Sequence, residues 1–182
     1  FGVLYGSQFK FDKEKMPAEI DALREKLMKE YEEGEKPERK KRILLTGCPS
    51  SGAPMKVVKA IEEHGGNVVV YENCGGAKSV DRLIDEDAED IYKAIAERYL
   101  AIGCSVMTPD NNRIELMGRL LEEYNIEGVV EMTLQACHTY NVETNTIRKF
   151  VTGEKGIPYI SVETDYSQAD IGQLNTRLAA FV

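Results

Sequence analysis

The chain has 182 residues, 42% hydrophobic and 30% charged, with a formal net charge of −8. That balance suits a soluble globular domain with a full core, and no apolar stretch approaches the ~20 residues that span a bilayer, so no membrane role is expected. The acidic total, relieved only by the short cluster Arg39-Lys40-Lys41-Arg42, speaks against nucleic acid as a partner.

Residues 12–34 form the clearest helix. Pro17 suits a first turn, Ile20, Leu23, Leu27 and Tyr31 recur at helical spacing, and Gly34 and Pro37 end the segment. Glu35 to Lys41 reads as a charged linker. The start, Phe1-Gly2-Val3-Leu4-Tyr5, has no initiator Met and no signal-peptide charge pattern, which reads as a piece of a longer chain or a processed product.

From residue 42 strands and helices alternate. The expected order is strand 42–47, helix 54–64, strand 67–72, a Gly-rich turn at 75–78, helix 87–100, a turn holding Cys104 and Pro109, helix 111–124, strand 128–134, helix 140–152, strand 157–162 and helix 168–181. Ser167 is the candidate N-cap of the last helix, and Asp110 or Asn111 of the helix beginning at Arg113. Nearly all-apolar strands between helices imply an α/β fold. We expect an open, mainly parallel four-stranded sheet flanked by helices, flavodoxin-like or Rossmann-like. Residues 1–40 would form an N-terminal segment and linker helix following a preceding domain, and 41–182 the α/β domain.

The cysteines are four, Cys48, Cys74, Cys104 and Cys137, separated by 26, 30 and 33 residues. Without a Cys-x-x-Cys pair they make neither a local zinc knuckle nor a thioredoxin-type pair, and the spacing is not that of a secreted disulfide scaffold. Reduced thiols in a cytoplasmic setting fit better. Cys48, Cys74 and Cys137 each follow an apolar strand, so they fall at the carboxyl edge where open α/β sheets bind ligands. Each thiol is either a small buried hydrophobe or a soft ligand for an iron–sulfur cluster.

Other motifs carry two readings as well. Gly47-Cys48-Pro49-Ser50-Ser51-Gly52-Ala53-Pro54 is a tight turn or a phosphate cradle, but it lacks both the Walker ending and Gly-x-Gly-x-x-Gly. A flavin or nucleotide binder using this loop is the weaker hypothesis. His138 beside Cys137 is a surface residue, or a hydrogen-bond donor and proton carrier. The carboxylates of Glu163-Thr164-Asp165 either cap the next helix or serve acid–base chemistry. Arg113, Arg148 and Arg177 read as surface or packing residues.

Several segments together carry a resemblance. They are Leu45-Thr46-Gly47-Cys48-Pro49, Tyr71-Glu72-Asn73-Cys74-Gly75-Gly76-Ala77-Lys78, Leu134-Gln135-Ala136-Cys137-His138-Thr139-Tyr140, Ile157 through Ser167 (IPYISVETDYS), and Gly172-Gln173-Leu174-Asn175-Thr176-Arg177. The set resembles the C-terminal half of the 2-hydroxyacyl-CoA dehydratase family, which includes benzoyl-CoA reductase subunits and double-cubane-cluster reductases. It leans to the double-cubane branch. The dehydratase subunits typically have Asp-Pro where this chain has His138-Thr139, and Cys-Pro-Cys where it has Gly103-Cys104-Ser105.

The resemblance implies an iron–sulfur cluster, 4Fe-4S or double-cubane 8Fe-9S, in a cleft between two α/β domains. Two ligands would come from a preceding domain and one from Cys137. Cys74 and Cys104 are candidates for the further ligands of a double cubane, while Cys48 matches a family cysteine that is not a ligand. Beside the resemblance, the reading of the residues themselves makes His138 and Glu163 the catalytic candidates and the amides of Gly47, Gly75 and Gly76 candidate donors to the cofactor. The implied partners are an ATP-hydrolysing iron–sulfur activator, a second subunit in a homodimer or heterodimer, and an acyl-CoA or small-molecule substrate. The implied activity is low-potential reduction. Radical elimination of water from a 2-hydroxyacyl-CoA and a non-catalytic partner or assembly role are the alternatives. On this reading the chain alone binds no intact cluster.

Overall fold

The computed structural model describes residues 2–7, 9–49 and 52–182, so Ser50 and Ser51 of the Gly/Ser loop lie outside the described residues. The chain divides into two units, Phe1–Arg39 and Lys40–Val182. The first holds α1 (Gly2–Ser7) and α2 (Met16–Glu33). Proline stands in the first turn of α2, and Gly34 N–H donates to the Glu30 carbonyl at 2.9 Å to close its end. Leu27, Met28 and Tyr31 of α2 are exposed.

The second unit is a doubly wound α/β sheet. In chain order it runs β1 (Lys41–Gly47), α3 (Gly52–Glu63), β2 (Gly66–Glu72), α4 (Ala77–Val80), α5 (Ile91–Leu100), α6 (Asn111–Glu123), β3 (Gly128–Leu134), α7 (His138–Arg148), a π-helical turn (Lys149–Glu154), β4 (Tyr159–Thr164) and α8 (Ile171–Phe181). The strands pair in the order β2-β1-β3-β4, and every pair is parallel.

Strand alternation splits the core into two layers. Ile43, Leu45, Val130, Met132 and Val162 meet Val57 and Ile61 of α3 and Leu174 and Leu178 of α8. Leu44, Val70 and Val129 face the other way, onto Leu116, Met117 and Leu120 of α6 and onto Ile147, Phe150 and Val151. Both faces are covered, which is why the strands read as apolar runs.

Several expected boundaries move, and those of the last strand and last helix move for local reasons. Strand β4 begins at Tyr159 rather than 157, because Pro158 has no N–H for the ladder and contributes only its carbonyl, which accepts from Val129 N–H at 2.9 Å. The strand then runs to Thr164, so Glu163 lies within it and not after it. Helix α8 begins at Ile171 with Asp170 at its N-cap, not at Ser167. The Ser167 amide is instead held by Asp165 Oδ1 at 2.8 Å. For α6, Asp110 caps as expected, its Oδ1 accepting from Arg113 N–H at 3.3 Å.

Candidate functional site

The chain turns outward from β1 to β2 on one side and from β3 to β4 on the other. The carboxyl ends of β1 and β3 therefore flank the switch point, where sheets of this kind leave a crevice. Cys48 ends β1 and Cys137 follows β3. Cys48 is 1% exposed, donates its amide to the Met132 carbonyl at 2.8 Å, and accepts from Leu134 N–H at its sulfur at 3.2 Å. Burial pushes its thiol up to about 12. It is a core residue.

Cys137 differs in each respect. A tight turn closes with Cys137 N–H donating to the Leu134 carbonyl at 2.9 Å, and Ala136 takes a left-handed φ of 63° inside it. A non-glycine residue in that region costs on the order of 1 kcal/mol. The turn sets Cys137 at the N-cap of α7, which starts at His138, two residues before the helix was expected to start, and leaves Cys137 half-buried. Partial burial opposes ionisation of its thiol. The Tyr140 amide, the Thr139 hydroxyl, the Cys48 thiol and the Thr139 amide together outweigh it and hold the thiol below its ordinary value. The Cys137 side chain makes no cap bond to the helix. The orientation of those amides at a helix N-terminus still favours the thiolate.

The first turn of α7 also draws the other two thiols toward this edge. Thr139 Oγ1 lies 3.6 Å from Cys137 Sγ and 3.2 Å from Ser105 Oγ, next to the half-buried Cys104. Tyr140 Oη lies 3.9 Å from the sulfur of the exposed Cys74. One helical turn thus contacts the thiols of Cys74 and Cys137 and the hydroxyl of Ser105, the neighbour of Cys104. Among the described residues, no three His, Cys, Asp or Glu side chains come together as a metal site. The donors fit an iron–sulfur cluster in kind, being soft thiols with one held toward the anion, and form a partial set in number.

Beneath this edge lies a charge lattice that sequence reasoning missed. Glu72, Thr46, Glu131 and Ser161 form one row across the four strands. Arg113, in the first turn of α6 and 1% exposed, reaches over that row. Its Nε is 3.4 Å from Glu72, its Nη2 is 2.9 Å from Thr46 and 3.2 Å from Glu131, and its Nη1 pairs with Glu143 of α7. Lys78 Nζ sits 3.3 Å from Glu72 and 3.4 Å from Tyr140 Oη. Tyr159 donates to Glu131. Arg113 is therefore neither a surface residue nor a simple packing residue. The available signal was a glutamate inside each of two apolar strands, on the same face by alternation. Burial raises the Glu131 carboxyl, with Arg113 opposing. Burial also raises Tyr140 and Tyr159, which stay protonated.

The remaining candidates are scattered. Glu163, Gln135, Asp165, Asp170 and Gln173 line an open cleft of about 450 Å³ beyond the ends of β3 and β4. The cleft wall is fixed by Lys56, whose Nζ is 2.6 Å from Asp170 and 2.6 Å from the Ser167 carbonyl. Lys56 and Thr164 overcome burial to hold Asp170 below its usual range. His138 is exposed, and its side chain and that of Glu163 make no hydrogen bond or ion pair among the described residues. The glycine amides are less available than expected. Gly75 N–H donates to Asn73 Oδ1 at 3.1 Å and Gly76 N–H to the Asn73 carbonyl at 2.9 Å, so both close their own turn. Gly47 has φ 104°, and a Cβ there would run into the Met132 carbonyl, which explains the glycine by close strand approach.

Comparison with known proteins bears on these residues. The family model for the D-component of 2-hydroxyglutaryl-CoA dehydratase matches residues 1–182. YjiM of Escherichia coli (strain K12), assigned by name alone to the dehydratase subunits, is 50% identical over 99% of this chain and 47% of its own length. One of the benzoyl-CoA reductase subunits of Thauera aromatica is 24% identical over 73% of this chain and 30% of its own length. The beta subunit of (R)-phenyllactyl-CoA dehydratase from Clostridium sporogenes is 23% identical over 80% of this chain and 38% of its own length. The chain spans less than half the length of each of these relatives.

Proposed function

The chain belongs to the 2-hydroxyglutaryl-CoA dehydratase D-component family, and from that membership we propose that it forms half of an iron–sulfur site acting on an acyl-CoA or related small molecule. The observation that carries the reading is Cys137, a half-buried thiol at a helix N-terminus and at the sheet's switch point, held toward the thiolate.

In this reading Cys137 is the family ligand, and Cys74 and Cys104 are the further ligands of a double cubane, brought to the edge by Tyr140 and Ser105. The other ligands come from a second domain or subunit. When bound, such a cluster supplies low-potential electrons, which a separate ATP-hydrolysing iron–sulfur activator delivers. In the same reading the cleft beside Gln135 and Glu163 receives the reacting end of the substrate, Glu163 on its lining holds or passes a proton, and the exposed His138 at the start of α7 is the second proton-carrier candidate. The buried Arg113 lattice keeps α6 and α7 in register with the sheet beneath the site. His138-Thr139 at the helix start favours the reductase branch. Similarity to proteins named for dehydratase subunits favours a second reading, elimination of water from a 2-hydroxyacyl-CoA.

The test is anaerobic reconstitution of the complete protein, with iron and sulfide measured per chain. Wild type and Cys48→Ala are expected to hold a full complement, while Cys137→Ala loses most of it. Equal retention in both variants would defeat the assignment. About eight irons per chain supports the reductase reading and about four the dehydratase.

A further inference from the structure

One hydroxyl in the first turn of α7 does more than bias the Cys137 thiol. Thr139 Oγ1 stands between Cys137 Sγ, at 3.6 Å, and Ser105 Oγ, at 3.2 Å. Ser105 belongs to the turn between α5 and α6 that also carries Cys104. That turn is closed by Met107 N–H donating to the Cys104 carbonyl at 2.8 Å. The Ser105 hydroxyl donates to Thr139 Oγ1. Thr139 then has its own hydrogen left to give, and the Cys137 sulfur is the acceptor within reach. A metal-bound thiolate carries no proton and only accepts, so in a loaded site this bond has one possible direction.

We infer that Thr139 is a positioning residue for the Cys137 sulfur: its hydroxyl, oriented by Ser105, donates to that sulfur, ties the Cys104 turn to α7, and raises the reduction potential of the centre the sulfur holds. The last clause rests on the iron–sulfur reading, and the first two on the hydrogen bonds alone. The physical reason is charge. Reduction adds an electron to a cluster that shares its negative charge with the ligand sulfurs, and a donor aimed at a sulfur stabilises the more negative state. The relay also couples the turn that carries Cys104 to Cys137 through the hydroxyls of Ser105 and Thr139. Bonds in such a chain polarise one another, so Ser105 strengthens what Thr139 gives. Thr139 is exposed on this chain, so water competes for its hydroxyl and the effect is smaller in the absence of metal.

The experiment uses the reconstituted complete protein. Thr139→Val keeps the shape of the side chain and removes the hydroxyl. It is expected to leave iron content at the wild-type level and to shift the one-electron reduction equilibrium about tenfold toward the oxidised form, ~59 mV more negative. Thr139→Ser is expected to restore the wild-type potential, and Ser105→Ala to give a partial shift in the same direction. A second readout needs no metal. In the iron-free chain, alkylation of Cys137 by iodoacetamide at one fixed pH is expected to slow about threefold in Thr139→Val and to stay unchanged in Thr139→Ser. An unaltered potential together with an unaltered alkylation rate overturns the inference. Iron loss in both Thr139 variants would assign the side chain to packing and overturn it too. A wild-type protein that takes up no iron overturns the iron–sulfur reading instead, and the alkylation rates then decide the hydrogen bond by themselves.

Discussion

Arg113 is the largest side chain that this fold buries fully. Burial alone would lower the affinity of its guanidinium for the proton. Glu72, Glu131 and Glu143 outweigh that and raise it, so the charge persists at any accessible pH. Two cations, Arg113 and Lys78, face three carboxylates, and burial pushes the Glu131 carboxyl toward neutrality. Removing Arg113 strands two buried carboxylates with only Lys78 to answer them. Breaking a buried set in this way costs about 3–5 kcal/mol. Arg119 gives the contrast. It grips Asp81 with two bonds of 2.8 Å, but its side chain is 55% exposed, and such pairs contribute under about 1 kcal/mol. Arg113→Ala is therefore expected to lower the urea midpoint far more than Arg119→Ala. Similar losses in urea titrations of the two variants would mean that the lattice adds nothing to stability. The pairing itself was not visible along the chain, because the partners come from β1, β2, β3, α4 and α7. A charge inside an apolar run announces that a partner exists without saying which residue it is.

Elements were more legible than their ends. The run from Gly128 to Leu134 reads as a strand and is one, since apolar residues on both faces leave little alternative. The placement of Cys48, Cys74 and Cys137 at the sheet's carboxyl edge follows from the same runs. Ends were misjudged where side chains compete for backbone groups. Ser167 reads as a cap, yet its hydroxyl accepts from Ala169 N–H at 3.3 Å within a turn that Asp165 and Lys56 also hold, and α8 starts beyond it. Asp90 attracted no attention, yet its Oδ1 accepts from Lys93 N–H at 3.1 Å and caps α5. Losing such a cap costs about 1 kcal/mol. A surface hydroxyl in a turn matters by less than about 0.5 kcal/mol. Asp90→Ala should thus lower the thermal midpoint visibly and Ser167→Ala hardly at all. Calorimetry that ranks them the other way would return the capping role to Ser167.

At the scale of the molecule, the two units make separate claims on stability and on chemistry. Both apolar layers of the sheet unit are built from its own residues, between Ile43 and Val182. A chain reduced to 40–182 is accordingly expected to melt in one cooperative step, within about 2 °C of the 182-residue chain. Its metal chemistry should differ from that of the complete protein for a geometric reason. One turn of α7 touches the thiols of Cys74 and Cys137 and the hydroxyl of Ser105 beside Cys104, but among the described residues no three ligating side chains close on a common point. On the iron–sulfur reading proposed above, a thiolate set held open costs little while it remains solvated, and would bind a cluster only once further donors join it. Anaerobic reconstitution of 40–182 should therefore leave fewer than the roughly four irons of a cubane on each chain, while the complete protein under the same conditions retains them. Four or more irons held stably by the isolated sheet unit would mean that its own thiols complete the set, and the half-site would have to be redrawn as a whole one.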